Sequence, residues 1–342
     1  MPERRRQHLG AVPKIGDVAR AAGVSPATVS RVMNGTGTVA PERAAAVHRA
    51  ARELGYTPSG PARALRQQKA RVWAAIIADI ENPFFTAMVR GIEDVARSVG
   101  HRLVLCNSDE DLDKETAYLD IVLAEQMAGV VIAVASDKES RLDGLLDRGV
   151  PVVAVDRRPR HRVDELDSVV VDNVLGARLA TEHLMDAGAQ RIACVTGPSR
   201  VSTARERLSG YQQALRARGR PAPGGLVRRA DFKEAGGYAA TRALLAMRPR
   251  PDALFAANNL MTLGALRALR EAGLRVPDDV LLVGFDDAPW TTLVSPPLTV
   301  MTQPTYEIGR QAAQLLTTAS PDLPARHIVL PPALQERASS LR

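Results

Sequence analysis

The sequence predicts an α/β fold in which two doubly wound parallel-sheet lobes, connected in series, follow an all-α helix-turn-helix headpiece. Three observations carry that expectation. From Val72 to about residue 301, short uncharged apolar runs alternate with helix-length segments, the pattern of strands buried on both faces. No such run occurs before Val72. The first 71 residues also hold 13 Lys+Arg against 4 Asp+Glu, whereas the whole 342-residue chain carries only +7, so all of the positive excess lies in its first fifth.

Residues 1–13 read as a disordered basic tail able to add phosphate contacts. In IGDVARAAGVSPATVSRVMNG, residues 15–35, Ile15, Val18, Ala19 and Ala22 recur at helical spacing. Gly23 supplies the permissive backbone of a tight turn. Ser25-Pro26 then starts a second helix, because a serine hydroxyl caps free N–H groups and proline fits the first helical position. Asn34-Gly35 ends that helix. With Val29 and Val32 facing inward, Pro26, Ala27, Ser30 and Arg31 remain on the opposite face. Short side chains let such a face approach base edges in a major groove. Arg31 can pair bidentately with guanine, the Ala27 methyl can touch thymine, and Ser25, Thr28, Ser30 and Asn34 can bond phosphates. A solvated helical hairpin is the alternative. A third helix from Pro41, with Ala44, Val47, Ala51 and Leu54 as its apolar stripe, closes a bundle over residues 14–58.

Residues 59–71 lack a core-forming face and carry Arg63, Arg66, Lys69 and one large apolar residue, Leu65. They suit either a solvated linker or a segment that orders on DNA, Leu65 wedging into the minor groove with Arg63 on the flanking phosphate.

In the α/β part, VWAAIIAD, HRLVLCN, GVVIAVA, PVVAV and SVVVD are strands of a first lobe, separated by helices over 83–99, 111–126 and 138–148. RIACVTG, LVRRAD, ALFAAN and VLLVGFD repeat the grammar in a second lobe, with helices 173–187, 203–218, 233–247 and 259–272. Ligands of such sheets bind beyond the strand C-termini, in the cleft between lobes.

Composition excludes several classes. Cys106 and Cys194 lie in apolar runs without close Cys or His partners, which predicts buried free thiols and no metal or redox site. The charged start lacks an apolar signal-peptide core, and no 18-residue apolar window occurs, so a cytoplasmic protein without membrane association is expected. There is no nucleophile elbow, P-loop, dinucleotide fingerprint or metal-spaced His pair, so neither an enzyme nor a cofactor is expected.

These residues resemble the lactose-repressor/galactose-repressor family of bacterial transcription regulators over about 14–340. The signature is IGDVARAAGVSPATVSRVMNG; YTPSGPARALR looks like the family's hinge, and NPFF, GFDD and PPLTVMTQP stand where its core has equivalents. The resemblance implies a homodimer on a palindromic operator in double-stranded DNA, and a core like periplasmic sugar-binding proteins. Arg31 and Ala27 then match base-reading positions and Leu65 the minor-groove leucine, while Pro26 departs from members with a polar residue there. It further implies that residues 302–327 join the first lobe (72–172), through a helix over 304–318, and that 328–342 join the second (173–301). No terminal leucine heptad suggests a tetramer-forming tail.

Polar and aromatic residues at strand ends give the candidate effector site: Phe84 and Phe85 in NPFF, Asp156, Thr203, Arg207, Phe232, Asn258, Asp286, Trp290 and Gln303, with Asp79 a weaker candidate and a possible helix cap. Carboxylates and amides satisfy sugar hydroxyls, and aromatic faces cover a ring. Asp287 and Asn259 are expected to bond neighbouring backbone. The expected function is a repressor controlled by a carbohydrate effector. A sugar receptor or transport component is the rival class, and a nucleoside or purine the rival effector.

Overall fold

The computed structural model describes residues 13–34, 39–56, 70–220, 224–320 and 323–341. The expectations for the N-terminal tail, Gly35 and the hinge, including Arg63 and Leu65, lie outside the described residues. The chain divides into two compact units, Met1–Ala70 and Arg71–Arg342.

The first unit contains α1 (Ile15–Ala22), α2 (Pro26–Asn34) and α3 (Pro41–Glu53). Gly23 takes left-handed backbone, φ 64, and its N–H closes α1 on the carbonyls of Ala19 and Arg20. Val18, Val29 and Val47 are fully buried, packed with Ala19, Ala50 and Ala51. Leu54, expected in the α3 stripe, is instead 39% exposed. It follows the last turn of α3, and the chain reverses at Gly55 so that Tyr56 packs on the core in its place. A core of Val and Ala buries little apolar area, so this unit is thinly stabilised.

The second unit holds two sheets. In the first lobe run β1 (Ala70–Ile77), α4 (Pro83–Ser98), β2 (Arg102–Asn107), α5 (Leu112–Ala124), β3 (Met127–Ile132), α6 (Asp143–Leu146), β4 (Val152–Val155) and β5 (Asp167–Val171). The second lobe follows with α7 (Asn173–Asp186), β6 (Ile192–Thr196), α8 (Ser202–Ala217), β7 (Val227–Arg229), α9 (Glu234–Leu245), β8 (Ala253–Ala256), α10 (Asn259–Glu271), β9 (Leu281–Phe285) and β10 (Thr299–Thr302). The chain then returns through α11 (Thr305–Thr317), which packs along α4, and ends with β11 (His327–Leu330) and β12 (Ala333–Gln335). The strand orders are β11-β5-β4-β3-β1-β2 and β12-β10-β9-β8-β6-β7, so strands of the two sheets correspond one to one.

Two expectations change. The helix over 138–148 shrinks to the single turn of α6. Residues from 328 onward do not all belong to the second lobe: β11 pairs parallel with β5, from His327↔Ser168 to Leu330↔Val171, and completes the first sheet. Only β12, antiparallel on β10, extends the second. The crossing falls at Pro331-Pro332, where the missing N–H groups cannot continue a ladder.

The central strands β4, β5, β6, β8 and β9 are buried along their whole length, which explains their unbroken apolar sequences. Asn82, Asp111, Asp172 and Asn258 each accept a backbone N–H of the helix that follows. These caps fix where each helix starts, and so which residues are left at the rim beyond the strand. Cys106 and Cys194 are buried free thiols, the latter pushed up to about 12 by burial. No cluster of metal-ligating side chains and no helix long and apolar enough to cross a membrane occurs among the described residues.

Candidate functional sites

On α2, Ser25, Pro26, Ala27 and Arg31 are exposed, Thr28 and Ser30 half-buried, and Val29 fully buried. Ser25 Oγ accepts the Thr28 N–H at 3.2 Å and lies 2.9 Å from Thr28 Oγ1, so the serine caps the helix. The outer face therefore presents a guanidinium, a methyl and hydroxyls above a sealed Val29. Asn34 is the last residue of α2; its side chain lies outside the described set.

In the second unit, a cavity of about 30 Å³ between the lobes is lined by nine of the ten expected effector residues: Phe84, Phe85, Asp156, Thr203, Arg207, Phe232, Asn258, Asp286 and Gln303. Trp290 is not among them; it is half-buried on a turn (Pro289–Thr292) that packs against the second lobe's core. So little free space means that the lobes are drawn together.

Arg207, 4% exposed, is the most constrained member. Its Nε donates to Asn173 Oδ1 at 2.8 Å and Nη1 to the Ala257 carbonyl at 2.6 Å, while the guanidinium lies 3.8 Å over the Phe285 ring. Burial works against its charge, and Asp286 and Asp156 support it. Burial likewise raises both carboxyls: Asp156 is pushed up to about 6, with Arg157 opposing, and Asp286 is raised against Arg207 and the amide of Gln303, whose Nε2 lies 2.5 Å from Asp286 Oδ1.

Asn258 has a structural reason for its place after β8. Its Oδ1 caps α10 and its Nδ2 donates to the Phe232 carbonyl at 3.0 Å. Phe232 needs that hold because it adopts left-handed backbone, φ 64, with its ring against Gly197, where an added Cβ would fall 2.2 Å from Phe232 Cζ. Phe84 and Phe85 meet edge to face at 5.0 Å on the first turn of α4.

Sequence reasoning missed Glu110, Arg157, Asp231 and Lys233, which also line the cavity. Arg157 binds Glu110 bidentately at 2.6 and 2.7 Å and lies 3.1 Å from Asp156. Glu110 lies three residues past the end of β2 and Asp231 two past the end of β7, whereas Asp156 and Asp286 directly follow their strands, so a rule that reads the residue next to an apolar run passes over both.

Among the described residues, three side-chain contacts bridge the lobes. Asp79 accepts the Glu81 N–H on Oδ1, as a cap would, and pairs through Oδ2 with Lys233 of the second lobe at 2.6 Å. Asn259 was expected to bond nearby backbone; its side chain instead reaches across and donates to Asn82 Oδ1 at 2.8 Å. Asp137 receives Arg205 at 2.7 Å. Asp287, also assigned to backbone, forms an ion pair with Arg337 at 2.7 Å.

The chain matches two family models: "Bacterial regulatory proteins, lacI family" over residues 14–59, and "Periplasmic binding protein-like domain" over residues 181–340. It is 38% identical over 302 residues to the ribose operon repressor of Halalkalibacterium halodurans, covering 88% of each chain. Among solved structures, the complex of the transcriptional regulator CelR with cellobiose matches with a TM-score of 0.73 and 34% identity, over 96% of this chain and 99% of that one. The lac repressor dimer bound to operator and the anti-inducer ONPF matches with a TM-score of 0.81 and 28% identity, over 97% and 100%. A helix-turn-helix face in the first unit, a two-lobed cleft in the second and relatives matched along nearly their whole length agree. The chain belongs to the lacI family of bacterial regulatory proteins and is a DNA-binding transcription regulator with a periplasmic-binding-protein-like core.

Proposed function

We propose that this regulator is a homodimeric repressor whose operator affinity is set by a small neutral sugar held between the lobes of its core. The observation that carries the reading is the cluster of Asp156 from the first lobe, Asp286 from the second and Arg207, buried at the seam. Carboxylates accept from vicinal hydroxyls and a guanidinium donates to them, so a ligand bonded to both lobes ties them together. The carboxylates outnumber the cations around the cavity, Asp79, Glu110, Asp156, Asp231 and Asp286 against Arg157, Arg207 and Lys233, which disfavours a phosphorylated ligand. Relatives named for ribose and cellobiose support a carbohydrate.

In this reading Phe84, Phe85, Phe232 and Thr203 shape the pocket, Asn258 positions Phe232, and Gln303 orients Asp286. Arg31 and Ala27 read bases, Ser25, Thr28, Ser30 and Asn34 hold phosphates with Pro26 at the entry of the helix, and hinge residues Arg63 and Leu65 engage the minor groove. Ligand-dependent closure alters the core that joins the hinge, and by reciprocity operator and effector modulate each other's affinity equally.

The test is a thermal-shift screen of the full chain against ribose, cellobiose, other neutral sugars, sugar phosphates and purines, followed by operator-binding titrations with any hit. A neutral sugar is expected to raise the melting temperature and change the operator Kd. Stabilisation by purines or sugar phosphates alone would overturn the proposal.

A further inference from the structure

Beyond residue 71 acidic residues slightly outnumber basic ones, yet one region of the second lobe is strongly basic. There each helix returns the chain to the N-terminal end of the next strand, at the end of the sheet opposite the cleft. The connections 218–226, 246–252 and 272–280 lead into β7, β8 and β9. They hold Arg218, Arg220, Arg248, Arg250 and Arg275 against Asp252, Asp278 and Asp279. Arg216 in the last turn of α8 and Arg228 in β7 enlarge the cluster.

Arginines near helix C-termini ordinarily serve the helix dipole. The first lobe shows that this fold does not require them. Its corresponding connections, 99–101, 125–126 and 147–151, lead into the matching strands β2, β3 and β4 and hold a single arginine, Arg148, beside Glu125 and Asp147. Nor is the charge cancelled locally. Arg218 pairs with Asp186 and Arg275 with Asp278 and Asp279, and Asp252 accepts the N–H groups of Gln190 and Arg191. Arg216, Arg220, Arg228, Arg248 and Arg250 form no ion pair among the described residues. Backbone carbonyls hold three of these heads instead: Arg220 donates to Ala189 at 2.8 Å, Arg228 to Gly225 at 2.7 Å and Arg248 to Met247 at 3.0 Å. A carbonyl fixes a guanidinium without neutralising it and leaves its other N–H groups for an anion.

The geometry points to this pole of the second lobe as a further DNA-binding surface, one that grips the backbone phosphates of a duplex without reading its bases. Neighbouring strands lie about 4.8 Å apart, so the connections into β7, β6, β8 and β9 spread over about 15 Å. Double-stranded DNA carries about nine phosphates in that length, whereas a single metabolite anion covers only a fraction of it. Heads held in place before binding suit a rigid, regularly charged partner better than a flexible acidic polypeptide, and duplex is the polyanion that a DNA-binding regulator always has at hand.

Photocrosslinking of the full-length protein to a labelled, mixed-sequence 30-bp duplex tests this, with a benzophenone group in place of Ala246 at the pole or, as a control, in place of Glu125 at the matching end of the first lobe. Both positions are exposed. In about 50 mM salt the crosslink is expected from position 246 and not from 125. R216Q/R250Q, which removes two exposed charges, should melt as wild type does, weaken the crosslink roughly ten-fold and lower the slope of log affinity against log salt by about two, and R216K/R250K should restore both. No crosslink from position 246, equal yields from the two positions, or a yield that R216Q/R250Q leaves unchanged would overturn the proposal. Polyglutamate of matched charge that abolishes the crosslink at a lower concentration than unlabelled duplex would overturn it too, in favour of an acidic polypeptide.

Discussion

Asp156 and Asp286 occupy the same position in the two sheets. Each directly follows the third strand from the β11 or β12 edge, β4 and β9 respectively, and each holds left-handed backbone, φ 63 and 74. Such backbone costs a non-glycine residue about 1–3 kcal/mol and persists where the surroundings over-determine it. Here it turns a carboxylate from each lobe toward one seam, where burial penalises both charges.

Strain and buried charge make Asp286 costly to the fold and valuable to the cleft. D286N, which tolerates the same backbone, is expected to melt no lower than wild type, to lose effector binding by about two orders of magnitude and to keep operator affinity. Calorimetry and a DNA mobility shift check the two halves; a normal effector response would remove Asp286 from the site.

The raised carboxyl of Asp156 gives a pH dependence of definite sign. Its folded value of about 6 lies above the ordinary 3.8. Between those values the folded state binds more protons than the unfolded one, so this group's contribution to stability is present at low pH and is lost as pH rises through that window, by up to about 3 kcal/mol. D156N should flatten that part of the urea-denaturation profile. Sugar hydroxyls donating to an ionised carboxylate should bind better above pH 6 than below it, which titrations at two pH values would read.

R31A should cost about 1–3 kcal/mol of preference for the operator over unrelated duplex, with non-specific affinity nearly retained. Equal loss on all sequences, measured at one ionic strength, would assign Arg31 to phosphate rather than base contact.

K233M removes the Asp79–Lys233 contact across the cleft mouth. Lys233 is 37% exposed, so solvent screening limits the effect to less than about 1 kcal/mol, or up to roughly five-fold weaker effector binding. Small-angle scattering should show a slightly more open core, and high salt should mimic the variant.

N258A should destabilise the core by about 1 kcal/mol through loss of the α10 cap, and weaken effector binding by releasing the Phe232 carbonyl. Loss of stability with unchanged binding would make Asn258 a cap alone.

Local grammar revealed most of the architecture, since a strand buried on both faces has no room for a charge and VVAV or LLVGF has little else to be. It also found the residues one step past those strands. What it missed acts over distance: Arg157 meets Glu110 across 47 residues, and Lys233 meets Asp79 across 154, so no window contains both partners. Trp290 was misplaced because an aromatic beside GFDD looks the same in sequence whether its turn faces the cleft or the core. The fate of β11 was ambiguous because four alternating residues carry no mark of which sheet edge they complete.

That late strand has a consequence for biosynthesis. The first sheet acquires its fifth strand at Val171 but its edge only when His327–Leu330 emerges, about 155 residues later. At about 5–20 residues per second, the ribosome leaves β5 with a bare flank for on the order of ten to thirty seconds, long enough for chaperones or a neighbouring nascent chain to reach it. Messages truncated before that point should yield insoluble product, and the yield of native protein should respond to translation speed between codons 172 and 330 more than to speed anywhere upstream.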